Sequence, residues 1–107
     1  MREAQIIMPR DNAQAIAHLR LRLLDTFGGY TQHDAIGAWR APDGKVHYDH
    51  HHVLTVACKP VNYNGIGSLR WAMIALREIA RDIGREADQQ CVYLRGFDGE
   101  VELVNCQ

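Results

Sequence analysis

The sequence predicts an α+β domain in which two helices cover one face of an antiparallel sheet. Two segments carry apolar residues at the spacing of an amphipathic helix, and runs rich in β-branched and aromatic residues lie between them. Turn sequences rich in Gly, Pro and Asp separate these runs. At 107 residues, the chain has the size of one domain with a single core, which we assign to residues 1–107.

The first strand and the first helix follow from the N-terminal quarter of the chain. Ala4–Met8 is a short apolar run that we predict to be a strand. Asp11 is the expected N-cap of a helix that runs to about Thr26, and the glycine pair that begins at Gly28 ends it. The predicted buried stripe of this helix consists of Ile16, Leu19, Leu23 and Phe27.

The next two strands form a predicted hairpin. Tyr30–Arg40 and Lys45–Cys58 both read as strands, and the tetrapeptide from Ala41 to Gly44 lies between them. A proline fixes φ early in this turn, and Gly44 accepts a positive φ.

The second half of the chain repeats the order of helix and strand. Residues 59–67 are rich in Pro, Asn and Gly, which predicts a loop. A second helix follows, then strands over Gln90–Arg95 and Val101–Val104. The order is therefore βαββαβ with a short extra C-terminal strand, which is the ferredoxin-like pattern. The buried stripe of the second helix consists of Leu69, Ala72, Met73, Leu76, Ile79, Ala80 and Ile83.

Composition excludes several classes of function. Twelve Lys and Arg residues against thirteen Asp and Glu give a net charge of −1, which argues against a general nucleic-acid binder. No apolar run reaches the ~18–20 residues needed to cross a bilayer, and the N-terminus lacks a signal-peptide apolar region. We therefore expect a cytoplasmic protein. No Ser/His/Asp or Cys/His signature is recognisable, so a binding protein is expected rather than an enzyme.

Four of the six histidines lie between Lys45 and Cys58, and they define the main candidate site. Strand residues alternate between faces, so Leu54 places Tyr48, His50 and His52 on the face that the helices cover. By the same alternation, three residues belong on the open face: His47, Asp49 and His51.

A metal site is one interpretation of these residues. If Arg40 opposes Lys45 across the turn, Asp34 lies near His51 and His33 lies near His52. This arrangement predicts a divalent transition metal, such as zinc, at His33, Asp34, Asp49 and His51. Otherwise no cofactor is expected. A polar sheet surface without a specific function is the simplest interpretation of the histidines, and a pH-sensitive interface is another.

Several segments resemble small ferredoxin-like proteins from bacterial and phage genomes. They are Phe27–Thr31, Gly37–Trp39 and Gly44–Val46 with Asp49, then Leu76-Arg77, Gly84–Glu86 and Gln90–Tyr93. The resemblance covers most of the chain from Phe27 onward. It implies the same fold and a bacterial or phage setting, and it carries no assigned function.

Three functions remain open at this point. The first is a non-catalytic module that binds another protein or a second copy of itself, for example a phage inhibitor of a host defence complex similar to an anti-CRISPR protein. The second is a metal-binding protein or metal-dependent enzyme that uses His33 and the run His47–His52. The third is a small-ligand-binding or sequestering protein with a pocket between the sheet and residues 59–67. For the first function, the predicted binding residues are Trp39, His47, Asp49, His51, Arg77, Arg81 and Arg85.

Overall fold

The computed structural model describes residues 1–59, 62–63 and 66–107. The elements in chain order are β1 (Arg2–Pro9), α1 (Ala13–Phe27), β2 (Thr31–Arg40), β3 (Val46–Cys58), β4 (Asn62–Tyr63), β5 (Ile66–Gly67), α2 (Ser68–Glu86), β6 (Cys91–Arg95) and β7 (Val101–Asn105). None of the helices in these described ranges has both the length and the apolar character needed to cross a membrane.

Five strands form one antiparallel sheet in the order β2-β3-β1-β6-β7. With its two helices, this confirms the predicted α+β class and is consistent with a ferredoxin-like type of fold. Two features depart from the simple pattern. β7 adds a fifth strand at one edge, and β4 pairs with β5 where the sequence predicted only a loop. The ligand pocket predicted against this loop involves residues 60, 61, 64 and 65, which lie outside the described residues.

The core lies on one face of the sheet, which we call the helix-side face. Ile6 stands opposite Leu54 on one neighbouring strand and Leu94 on the other, and all three side chains are buried. Leu19 of α1 and Leu76 of α2 belong to the same hydrophobic cluster. The helices therefore cover the face predicted for them, and no helix of the described ranges lies on the opposite, open face.

The two sheet hairpins use the same turn. In each, the residue that opens the turn donates its N–H to the carbonyl four residues on, from Ala41 to Lys45 and from Gly96 to Glu100. An aspartate side chain at the third position accepts the N–H two residues on. The fourth residue is a glycine with positive φ, 87° at Gly44, which confirms the turn geometry predicted there.

The start of α1 corrects one prediction. Asn12, rather than Asp11, is the N-cap, and its side-chain oxygen accepts the N–H of Ala15 at 3.0 Å. Both residue types are good caps, so the sequence does not distinguish neighbours of this kind. The predicted C-terminal end is confirmed, because Gly28 adopts a left-handed φ of 83°.

The β2–β3 hairpin extends beyond the rest of the sheet. β1 ends where Pro9 pairs with His51, and the last backbone bond runs from the N–H of Arg10 to the carbonyl of His50 at 3.3 Å. Residues 36–50 therefore form a two-stranded ribbon to which no other described strand pairs, and we call this ribbon the arm. The molecule measures 54 × 26 × 26 Å, and β3 alone spans roughly 40 Å of the long axis at about 3.3 Å per residue.

Truncation of Leu76 tests the buried face of α2. We expect Leu76→Ala to lower the free energy of unfolding by about 2–5 kcal/mol, because the side chain is fully buried and its loss leaves a cavity. Ile74→Ala is the matched control on the same helix, since half of that side chain is exposed, and it should cost less than about 0.5 kcal/mol. Urea unfolding measures both. Equal losses would show that the helix face is assigned incorrectly.

Candidate functional site

The arm exposes four large apolar side chains. Ile36 and Tyr48 are 67% and 68% exposed, Trp39 is 51% exposed and Val46 is 43% exposed. Pairing places Trp39 on the open face, opposite His47, and the other three on the helix-side face. The exposed helix-side residues show that the helices stop short of the arm, so both of its faces meet solvent.

Trp39 organises the open face of the arm. Its indole stacks on the His47 ring with centroids 4.6 Å apart and planes at 20°. Its Nε1–H donates to Oδ2 of Asp49 at 2.9 Å. The structure thus brings together three of the predicted binding residues and holds the tryptophan in one orientation.

His51 lies at the base of the arm. A Cβ at Gly37 would stand 3.2 Å from His51 Nε2, so the ring lies over the glycine. Its Nδ1 is buried and has no hydrogen-bond partner among the described residues. A buried unpaired polar atom of this kind costs about 1–3 kcal/mol.

Two open clefts meet at His51, Pro9 and Gln89. The larger cleft has a volume of about 660 Å³ and lies along β3, and the remaining residues that line it are Arg10, Asp11, Tyr48, Asp49 and His50. The smaller cleft, of about 330 Å³, lies on the open face, and the remaining residues that line it are Ile7, Cys91, Tyr93 and Leu103. The base of the arm is therefore the concave part of this surface.

The observed hairpin register differs from the predicted register by one residue. Arg40 pairs with Val46 rather than Lys45, because Ala41 and Lys45 close the turn themselves. Asp34 consequently stands opposite His52 on the helix-side face. The expected neighbours Asp34 and His51, and equally His33 and His52, lie on different faces.

This register divides the predicted metal group. His33, Asp49 and His51 share the open face, and Asp34 is separated from them. Within the described ranges, no three His, Cys, Asp or Glu residues are grouped so that they could hold a metal ion. The structure therefore does not bring together the four ligands predicted from the sequence.

Asp34 and His52 instead belong to a polar network on the helix-side face. Arg20 of α1 donates Nε–H to Oε1 of Gln32 at 2.8 Å. Gln32 Nε2 lies 3.2 Å from His52 Nδ1, but it donates no hydrogen bond there, because Nδ1 is itself a donor to Asp34. His52 Nδ1 lies 2.7 Å from Asp34 Oδ1, so it carries the proton that the carboxylate accepts. This bond lowers the pKa of Asp34, and the nearby charge of His52 acts in the same direction.

His50, the other histidine on the helix-side face, differs from His52. His50 was expected to meet the helices, but it is exposed because the arm extends beyond them. The alternation of faces along β3 was predicted correctly, and the length of the covered part was not.

The three arginines that were predicted to bind a partner all lie on α2 and have partners within the chain. Arg77 donates to the Glu102 carboxylate at 2.6 Å, Arg81 to the carbonyl of Asn105 and Arg85 to the carbonyl of Cys106. Spaced four residues apart, they tie α2 to β7 and to the residue after it. These hydrogen bonds give the three arginines a structural role within the chain, and their role in binding a partner stays a prediction.

Sequence reasoning missed the apolar residues Ile36, Val46 and Tyr48 and the cleft residue Arg10. A signal was available in the strand lengths, because β3 has thirteen residues and β1 has eight. A hairpin that is longer than the strand beside it must extend past that strand.

The Asp34–His52 bond makes a testable contribution to stability. A carboxyl whose pKa is lowered by folding stabilises the folded state above its unfolded pKa of about 4, and this stabilisation is lost as the pH falls through the folded value. Asp34→Asn should therefore be destabilising at neutral pH, and the difference from the wild type should shrink below about pH 4. Urea unfolding from about pH 7 to pH 3 measures it. A constant difference, or an equal effect of Asp34→Asn in a His52→Gln background, would contradict the assignment.

Comparisons with known proteins support the fold alone. No protein-family model matches the chain, and no curated protein matches it. A phage SAM lyase in complex with S-methyl-5′-thioadenosine superposes with a TM-score of 0.62 at 8% identity, covering 96% of this chain and 88% of that chain. The phage SAM lyase in its apo state gives a TM-score of 0.63 at 8% identity, covering 96% of this chain and 87% of that chain. The chain is thus similar in fold to a phage protein.

Proposed function

We propose that this chain is a non-catalytic protein-binding module and that the arm is its binding element. The observation that carries the proposal is the exposure of Ile36, Trp39, Val46 and Tyr48 on a ribbon with two uncovered faces. Ile36, Val46 and Tyr48 share the helix-side face, and exposed apolar side chains grouped on one face mark sites of association. Tryptophan and tyrosine are also the side chains most often found as binding anchors.

The arm is partly organised for binding before a partner arrives. Stacking on His47 and the hydrogen bond to Asp49 fix the Trp39 side chain, so little rotamer entropy remains to be lost on association. An isolated two-stranded ribbon is marginal in water, and a partner that covers its faces adds the missing packing.

The composition of the arm favours a protein partner. Its apolar residues are flanked by Arg40, Lys45, His47 and Asp49, which together resemble the polar rim of a protein interface. The partner is another protein or a second copy of this chain. Inhibition of a host defence complex, as by an anti-CRISPR protein, remains a prediction that rests on analogy.

Replacing apolar residues of the arm tests the proposal. The double variant Ile36→Ser/Tyr48→Ser should bind the partner at least about tenfold more weakly, which corresponds to about 1.4 kcal/mol. The matched control Leu21→Ser/Leu24→Ser removes two exposed leucines from α1 and should bind normally. Proteins captured from an extract of the native host are compared by mass spectrometry, and the identified partner is then titrated calorimetrically. Equal affinities of the two double variants would reject the arm as the binding element.

A second candidate function is binding of a small nucleoside thioether in the larger cleft. Its volume of about 660 Å³ lies in the usual range for ligand sites. Tyr48 offers an aromatic face, and Asp11 and Asp49 offer carboxylates that accept hydrogen bonds from hydroxyl groups. The similar fold of a phage SAM lyase that binds S-methyl-5′-thioadenosine supports the choice of ligand.

Titration with S-methyl-5′-thioadenosine and with SAM tests this second candidate. We expect saturable binding that Asp11→Ala weakens at least about tenfold, because it removes a carboxylate from the cleft. Asp25→Ala, which removes an exposed carboxylate from α1, is the control and should leave binding unchanged. Chromatography after incubation with SAM shows whether the ligand is also consumed. Absence of saturation with either compound at about 1 mM would exclude this function.

A further inference from the structure

Along the arm, β3 has a described neighbouring strand on one side only. β3 pairs with β1 from Cys58 to His51, and from Val46 to Asp49 it pairs with β2 alone. His50 directs its carbonyl to Arg10. Because every second residue of a strand directs its N–H and C=O to the same side, Tyr48 and Val46 direct theirs to that side as well. Among the described residues, Tyr48 and Val46 thus present unpaired N–H and C=O groups at a free edge.

This edge is only four residues long, but it lacks the other features that usually prevent pairing. Natural edge strands are protected by lysines, prolines, bulges or very short length. The segment Val46–Asp49 contains neither lysine nor proline, and its pairing with β2 continues residue by residue without a bulge. The edge is therefore suited to accept another strand.

We propose that a second copy of the chain pairs its β3 with this edge, antiparallel, about a two-fold axis at His47. The inference rests on the proposed function and names the partner and the contact surface. In this register, Val46 stands opposite Tyr48 of the second copy and Tyr48 stands opposite its Val46. Each of these two pairs exchanges two backbone hydrogen bonds, so four bonds form at the interface.

Side chains on both faces fit this register. On the helix-side face, each Val46 meets a Tyr48, and aromatic–β-branched pairs of this kind are favourable across strands. Both side chains are exposed in the single chain. On the open face, Lys45 of each copy stands opposite Asp49 of the other, so opposite charges meet twice.

The larger cleft accommodates the tip of the second arm. It lies along the free edge and is lined by two carboxylates, Asp11 and Asp49, and by one guanidinium, Arg10, so the tip that carries Lys45 brings a cation to a cleft with more acidic than basic side chains. A register moved by two residues, with the two-fold axis at Tyr48, would place Val46 of the second copy opposite His50. The backbone of Arg10 already occupies that position, which excludes the alternative.

Proline substitutions on the two edges of the arm test the pairing. Ala38 and Tyr48 are cross-strand neighbours, and each directs its N–H away from the other strand. Proline is tolerated at such positions within the single chain but prevents pairing at the edge where it stands. Light scattering on the full chain should give twice 12.1 kDa for the wild type and for Ala38→Pro. Tyr48→Pro should give 12.1 kDa.

A charge exchange provides a second test that does not depend on proline. Lys45→Asp places two aspartates opposite each other at each end of the interface and should weaken the dimer at least about tenfold. The double variant Lys45→Asp/Asp49→Lys restores opposite charges and should restore the dimer.

Each of several results would overturn this inference. The first is a wild type that stays monomeric up to roughly 0.1 mM. The second is a dimer that persists in Tyr48→Pro or is lost only in Ala38→Pro. The third is a Lys45→Asp/Asp49→Lys variant that does not associate. A monomeric wild type would leave the capture experiment with Ile36→Ser/Tyr48→Ser unaffected, so the failure of strand pairing is distinguishable from the failure of the proposed function.

Discussion

The register of the β2–β3 hairpin is the constraint on which the candidate surfaces depend. It is fixed by the short turn in which Ala41 donates to the carbonyl of Lys45. From this point, every second residue is assigned to one face along thirteen positions of β3. The turn therefore decides that Trp39 meets His47 and Asp49 and that Asp34 meets His52. A turn one residue longer or shorter would put the β2 and β3 members of each group on opposite faces of the ribbon.

A difference in length between neighbouring elements then creates the arm. The helices and β1 cover the hairpin as far as His51, and the remaining residues extend alone. Where the cover ends, apolar residues with the same alternation as the core become exposed, as at Tyr48 and Val46. The same pattern that buries Leu54 thus produces a binding surface farther along the same strand. The exposure of Tyr48 and Val46 is set by where β1 and the helices end, and not by residue type.

The sequence was sufficient for what depends on local pattern. The types of the two helices and of the five strands of the main sheet, the left-handed Gly28 and Gly44, and the face of each β3 residue follow from periodicity and turn chemistry, which act over a few residues. The pairing of Asp34 depended on a turn whose closing residues were not identifiable, and a shift of one residue divided the proposed metal group. The exposure of His50 depended on where β1 stops, which is a property of the packed molecule. Adjacent cap residues such as Asp11 and Asn12 are too similar to be separated by propensity.

The position of β1 at the centre of the sheet has a consequence for how the chain folds. The two sheet hairpins are local and close through the same tight turn, so each can form early and independently. β1 must then enter between β3 and β6, and its pairing of Arg2 with Cys58 joins residues far apart in sequence. Because distant contacts carry the larger loop-closure cost, we expect insertion of this first strand to limit the folding rate. Until β1 inserts, the edges of β3 and β6 remain unpaired. Folding at high protein concentration therefore competes with association through those edges.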